Sequence, residues 1–264
     1  MAHNQNPIGF FDSGVGGTSV WKAVHELLPY ESTIYVADSA NAPYGERSSE
    51  EILALSIKNT EFLISKGCKL IVVACNTATT NAIKVLRSSF ELPFVGIEPA
   101  IKPASLQTKT GKVGLLATKG TLGSVLFHET VLANAAKVTI YEQEGTGLVP
   151  LIEAGLEDGP QVFALLKQQI APMLANGIDT LVLGCTHYPY LVPALLKILP
   201  SYVSILDSAL PVALQTQKLL LKNELQAAVG HQTSHEFYTN KEVAVLSHFL
   251  PKDSSIRVAF TTQF

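Results

Sequence analysis

Cysteine is scarce in this chain. Three occur in 264 residues, and none is spaced as a disulfide framework or as a Cys-x-x-Cys pair. An odd, small count fits a reducing compartment and argues against a disulfide-stapled scaffold. Charge of one sign is also missing: the formal net charge is −3 and no basic run occurs, which argues against a nucleic-acid surface. No apolar stretch is long enough to span a bilayer. The segment from Met1 to Pro7 lacks the charged and apolar regions of a secretion signal. The expected setting is cytoplasmic, with neither membrane nor nucleic acid as partner. Cofactor fingerprints are absent too. Asp12-Ser13-Gly14-Val15-Gly16-Gly17 is glycine-rich, but Ser19 stands where a dinucleotide motif needs its third glycine, and no Gly-Lys-Ser/Thr follows to make a phosphate loop.

What is present is a hydrophobic fraction of 47%, enough for a sizeable core in two small domains or one large one. Strand and helix patterns alternate. Residues 8–11 read as a buried strand, followed by a glycine-rich turn at 13–17. Residues 18–28 have helical spacing, with Val20, Val24, Leu27 and Leu28 on one face. Strands are expected at 33–37, 70–74 and 94–96. Helices are expected at 49–66, stopped by Gly67, and at 77–88. Repeated βα units imply a parallel sheet with helices on both faces.

The pattern then restarts. Residues 112–117 echo 7–12, and 179–185 echo 69–75, at offsets of about 105 and 110 residues. Buried strands resemble one another by chance, but two landmarks in the same order favour duplication. The expected fold class is therefore α/β: two similar domains, each a mostly parallel sheet flanked by helices, related by a pseudo-twofold duplication with the active site in the interdomain cleft. Pro99 and Pro103 bracket the first crossing, and a second is expected near 207–211. This assigns residues 1–98 plus 208–264 to an N-terminal domain and 99–207 to a C-terminal domain. Residues 214–225 are a helix candidate.

Two cysteines stand out. Cys75 and Cys185 each end a run of β-prone apolar residues, and each is followed by small hydrogen-bonding groups: Cys75-Asn76-Thr77 and Cys185-Thr186-His187. That places a thiol at the carboxyl end of a buried strand, where open α/β sheets bind ligands. A thiol just before a helix N-terminus has its thiolate favoured. Buried cysteine is otherwise a small hydrophobe, the reading given to Cys68. Zinc held by Cys75, Cys185, His187 and a carboxylate is chemically conceivable, but the local spacing is weak for it. The glycine turn could instead be a plain helix cap, and Asp38-Ser39-Ala40-Asn41-Ala42-Pro43-Tyr44-Gly45 an ordinary Asx/Pro turn.

Taken together these segments resemble the cofactor-independent glutamate racemases, within the aspartate/glutamate racemase superfamily. The match runs in motif order through Ile8-Gly9-Phe10-Phe11-Asp12-Ser13-Gly14, Ala42-Pro43-Tyr44-Gly45, Ala74-Cys75-Asn76-Thr77-Ala78, Gly96-Ile97-Glu98-Pro99-Ala100, Ala117-Thr118-Lys119-Gly120-Thr121 and Gly184-Cys185-Thr186-His187-Tyr188-Pro189. The last fifty or so residues add little to it. The resemblance implies a two-base reaction at Cα, one thiol taking the proton and the other returning one on the opposite face. It implies Cys75 and Cys185 as the bases, Asp12 assisting Cys75, His187 assisting Cys185, and Glu153 as a further acidic group whose plain alternative is a surface helix start. Asp12, Ser13, Pro43, Tyr44, Gly45, Asn76, Thr77, Thr118, Thr121, Thr186 and His187 are the implied substrate contacts. No cofactor and no metal are expected. The expected partner is L- or D-glutamate, with a homodimer left open; D-glutamate would serve peptidoglycan synthesis. Some members carry a longer N-terminal extension and depend on a cell-wall precursor as activator, and the short lead before the first strand makes that dependence less expected. The alternatives are a superfamily isomerase for aspartate, hydantoins or maleate, and a non-catalytic acidic amino-acid binding module. His187 after Cys185-Thr186 favours the glutamate branch.

Overall fold

A computed structural model describes residues 4–134 and 138–264; the start of the N-terminal segment read above, residues 1–3, lies outside the described residues. The chain opens with β1 (Ile8–Asp12), α1 (Thr18–Leu27), β2 (Thr33–Ala37), α2 (Ser49–Ser65), β3 (Leu70–Val73), α3 (Asn76–Ser89) and β4 (Phe94–Gly96). It continues with α4 (Ile101–Gln107), β5 (Lys112–Ala117), α5 (Lys119–Leu122), α6 (Val125–Asn134), β6 (Thr139–Glu144), α7 (Leu148–Glu153), α8 (Pro160–Ala175), β7 (Thr180–Gly184), α9 (Val192–Ile198) and β8 (Ser204–Leu206). It closes with α10 (Ala209–Lys222), β9 (His235–Thr239), α11 (Val243–His248) and β10 (Ile256–Phe260).

The strands form two sheets, ordered β10-β9-β2-β1-β3-β4 and β6-β5-β7-β8, and every pairing is parallel. Parallel strands need crossovers, and the helices between them supply the cover for both faces. Strands β1, β2, β3 and β7 are buried along their whole length, which is why they read as unbroken apolar runs rather than alternating ones. The order β2-β1-β3-β4 recurs as β6-β5-β7-β8, so the two sheets share one topology. The last two strands rejoin the first sheet: β9 pairs with β2, Thr239 opposite Ala37.

Local chemistry accounts for several boundaries. Ser48 caps α2 in a reciprocal box: its hydroxyl accepts the Glu51 N–H, and the Glu51 carboxylate accepts the Ser48 N–H. The helix expected at 214–225 begins earlier, at Ala209, because Pro211 falls in the first turn, where a missing N–H leaves nothing unpaired. Ser208, just before it, donates its hydroxyl to the Glu98 carbonyl at 2.5 Å and so ties together the two crossings between sheets. The main core runs from Phe10, Tyr35 and Val72 of the first sheet to Leu148, Ile152, Leu183 and Tyr188 of the second half. Separate clusters cover the other face of each sheet, one around Phe11, Val36 and Ile71, the other around Leu115 and Val182. No helix among the described residues is long and apolar enough to cross a membrane.

Candidate active site

In each sheet the strand order reverses at a pair of neighbouring strands: β1 and β3 in the first, β5 and β7 in the second. Such switch points leave a crevice beyond the carboxyl ends of the strands. Asp12 ends β1 and Cys75 follows β3; Thr118 follows β5 and Cys185 follows β7. The two crevices face each other. A small cavity lies between them, and both Cys75 and Cys185 line it.

Cys75 caps α3, its sulfur 3.4 Å from the Ala78 N–H, and its thiol points to Ser13 Oγ at 3.8 Å. The helix end does not make it acidic. Burial pushes the thiol well above the ordinary cysteine range and the nearby Asp12 carboxylate adds to that, outweighing the Ala78 and Ser13 N–H groups. The expected thiolate preference is thus reversed, because a buried charge next to a like charge is penalised more than one helix end repays. Cys185 departs from expectation in another way. No α-helix starts beside it; a turn carries the chain into a single 3-10 turn at Tyr188–Leu191, and α9 follows.

What attends Cys185 is a charge pair. His187 Nδ1 lies 3.7 Å from its sulfur, and His187 Nε2 lies 2.6 Å from Glu153 Oε1. Burial opposes the imidazolium, but Cys185 and Glu153 together raise His187 well above the ordinary histidine range. Burial likewise disfavours the Glu153 carboxylate, yet the His187 contact and the Val15 N–H at 2.6 Å hold it below the usual carboxylate range. Glu153 is therefore no surface helix start: it ends α7 and is buried. The glycine turn exists to let this pair approach. A Cβ on Gly14 would sit 1.9 Å from Glu153 Oε1, and one on Gly16 would sit 2.3 Å from His187 Nδ1.

Asp12 joins the halves. One oxygen accepts the Gly14 and Gly17 N–H groups at 3.1 Å, and the other accepts the Thr186 hydroxyl at 3.1 Å. Burial raises its pKa although His187 pulls the other way. A second bridge is made of hydroxyls, Thr77 to Thr118 at 2.8 Å and Thr118 to Thr121 at 3.1 Å. Of the residues expected at the site, Ser13, Pro43, Tyr44, Gly45, Asn76, Thr77, Thr118, Thr186 and His187 line the cavity with the two cysteines. Asp12, Thr121 and Glu153 stand behind that wall and support it. Both side-chain polar atoms of Asn76 are buried without a hydrogen-bond partner, so the wall presents a free donor and a free acceptor.

Val149, at the start of α7, also lines the cavity and was not among the expected residues. Its signal was the duplication itself: β6 corresponds to β2, so the segment after β6 corresponds to the loop after β2. Asp38 was missed as a support. It is fully buried and accepts the Tyr44 hydroxyl at 2.5 Å. Among the described residues no group of three or more His, Cys, Asp and Glu side chains is arranged to hold a metal ion.

Comparison with known proteins agrees with this geometry. The family described as Asp/Glu/Hydantoin racemase matches residues 15–214. The chain is 45% identical to a glutamate racemase of Ectopseudomonas mendocina, covering 95% of each chain, and 47% identical to one of Herpetosiphon aurantiacus, covering 90% of this chain and 94% of the relative. Among solved structures it is similar to the Escherichia coli glutamate racemase in complex with L-glutamate and the activator UDP-MurNAc-Ala, with a TM-score of 0.84, 34% identity and 97% and 98% of the two chains covered.

Proposed function

The chain belongs to the Asp/Glu/hydantoin racemase family and is an amino-acid racemase, and from that premise we propose that it interconverts L- and D-glutamate by two-thiol proton transfer at Cα. The observation that carries this reading is the pair of thiols from equivalent switch points lining one cavity, each with its own acidic or basic attendant. Cys75, as thiolate, takes the α-proton of D-glutamate, and Cys185, as thiol, delivers one to the opposite face; the reverse direction exchanges their roles. One C–H bond breaks and one forms, and each thiol ends in the state the other began in.

The charges on the page fit that cycle. Burial and the Asp12 carboxylate push the Cys75 thiol up. The substrate ammonium entering beside Asp12 offsets the negative charge that disfavours the Cys75 thiolate. On the other side His187, held protonated by Glu153, donates toward Cys185 and stabilises its thiolate after the proton has left. The carbanion is formed without an electron sink, so its charge rests on fixed donors: Asn76, the hydroxyls of Ser13, Thr77 and Thr118, and Thr186. Glutamate as substrate is supported by the names of the relatives and by the polar lining, with Asn76 free in both senses. Supply of D-glutamate for peptidoglycan in the cytoplasm is the role we assign; three unpaired thiols suit a reducing compartment.

Circular dichroism of D- or L-glutamate with the pure protein tests it. The signal of either enantiomer should decay to zero with no added cofactor and in the presence of chelator. Loss of activity in chelator with return on adding zinc would overturn the two-thiol reading in favour of a metal one. An unchanged signal for glutamate alongside decay for aspartate would move the substrate to the neighbouring branch.

A further inference from the structure

The C-terminal segment reaches the wall of the cavity. Strand β9 ends at Thr239 beside β2, and Asn240 follows it over the end of β2. Its Nδ2 donates to Asp38 Oδ1 at 2.5 Å, and its Oδ1 accepts the Ala40 N–H at 2.8 Å. Asp38 accepts Asn41 Nδ2 on the same oxygen at 2.8 Å and the Tyr44 hydroxyl on the other. Tyr44, also bonded by Asn59 Nδ2 at 3.1 Å, lines the cavity. Gly45 beside it packs so close to the opposite half that a Cβ would fall 2.9 Å from Thr118 Cβ. The loop between, two 3-10 turns at Ser39–Asn41 and Tyr44–Glu46, has no side-chain cap of its own. Asp38 is thus one internal anchor of the loop, beside Arg47, whose Nε donates to the Asn41 carbonyl at 2.6 Å, and Asn240 holds Asp38 from just past a strand 202 residues away in sequence.

We propose that Asn240 is a positioning residue for racemisation. Through Asp38 it fixes Tyr44 and the 39–46 loop as a wall of the substrate cavity. The proposal rests on the racemase reading above. Asn240 does not line the cavity and does not touch the thiols. Its loss therefore acts on substrate binding, because a loosened wall must be ordered again each time substrate enters.

The test uses the full chain, with KM and kcat measured in both directions by circular dichroism. Asn240→Ala should raise KM about tenfold and leave kcat within about threefold, because it removes both the bond to Asp38 and the bond from the Ala40 N–H. Asn240→Asp sets a second carboxylate against Asp38. Its KM should exceed that of Asn240→Ala, because two like charges face each other where a bond stood. Exchanging the partners in Asp38→Asn/Asn240→Asp should bring KM back to within about threefold of wild type. A merely structural asparagine would lower the melting temperature and show neither the KM-selective loss nor the recovery. Trypsin cleavage after Arg47, followed by mass spectrometry, reads the loop without any turnover and should quicken in Asn240→Ala. Wild-type KM together with wild-type cleavage in Asn240→Ala overturns the proposal. A wild-type protein that fails to racemise glutamate overturns the functional reading instead, and the cleavage rates then decide alone whether Asn240 holds the loop.

Discussion

Asp12 and Glu153 are both buried carboxylates behind the cavity that the two thiols line, yet their environments push them in opposite directions. Asp12 is bonded by two N–H groups and a hydroxyl and faces Cys75 with a pKa raised by burial; Glu153 has the imidazolium of His187 and a pKa lowered by it. The site is therefore asymmetric, and the two thiols should fail differently. Cys75→Ser and Cys185→Ser should each lower racemisation by about 10²–10⁴-fold, since a serine hydroxyl is a poor base near neutrality. With a glutamate analogue bearing a leaving group at Cβ, Cys75→Ser should still eliminate from the L enantiomer and Cys185→Ser from the D enantiomer. Elimination from the same enantiomer in both variants would refute the assignment of faces. Cys68→Ser should leave turnover near wild type, because that thiol, pushed up to about 12 mainly by burial, packs against Gly9 far from the cavity wall. Gly14→Ala adds a methyl into the Glu153 carboxylate. It should lower kcat at least about tenfold by dislodging the partner of His187, and unaltered kinetics would show that the close approach is dispensable.

At the scale of elements, the seam between β2 and β9 carries a buried histidine. His235 Nδ1 meets Thr33 Oγ1 at 2.8 Å, the Trp21 indole donates to the same hydroxyl at 2.9 Å, and the rings of Trp21 and His25 pack on the imidazole. Burial and the neighbouring His25 lower its pKa to about 4, against a weaker pull from Asp253. The unfolded chain takes up a proton on this group near its ordinary value, the folded chain only near 4. Stability from His235 is thus fully present above about pH 6.5 and is lost as pH falls from there through about 4. Urea midpoints should drop over that window in wild type and less steeply in His235→Gln; parallel curves would assign the acid loss elsewhere. This seam was hard to foresee. The strands at 33–37, 94–96 and 112–117 were legible because a strand covered on both faces must be apolar throughout. β9, His-Glu-Phe-Tyr-Thr, alternates buried and half-buried residues and carries no such mark. Cys75 and Cys185 were legible from the strands that deliver them. The missing helix after Cys185 was not, because Pro189 and Pro193 shape that turn through backbone geometry rather than periodicity. Asp38 and Asn240 were not, because their bond joins segments with no common sequence period.

For the whole molecule the consequence of the duplicated switch points is a cavity that is closed. Nearly all its lining residues are buried, and hydroxyl and carboxylate bonds from Asp12 to Thr186 and from Thr77 to Thr118 cross between the halves. A substrate with two carboxylates and an ammonium cannot enter such a space without parting them. We propose that the moving units are residues 1–98 with 208–264 and residues 99–207, a division supported by the return of β9 and β10 to the first sheet. Helices α3 and α6 face each other across that division, and the exposed pair Lys84 and Glu129, 3.1 Å apart, marks the contact. The ion pair itself is screened and contributes little, so Lys84→Ala should leave kcat/KM nearly unchanged. Holding the same two positions together is a different matter. Lys84→Cys/Glu129→Cys joined by a short bis-maleimide, with D-glutamate present to shield Cys75 and Cys185 during the reaction, should cut kcat/KM at least about tenfold while the unjoined variant keeps wild-type turnover. Full turnover in the joined protein would mean that substrate passes through the loops at Pro43 and Val149 while the halves stay together, and the 39–46 loop that Asn240 anchors would then be the gate as well as the wall.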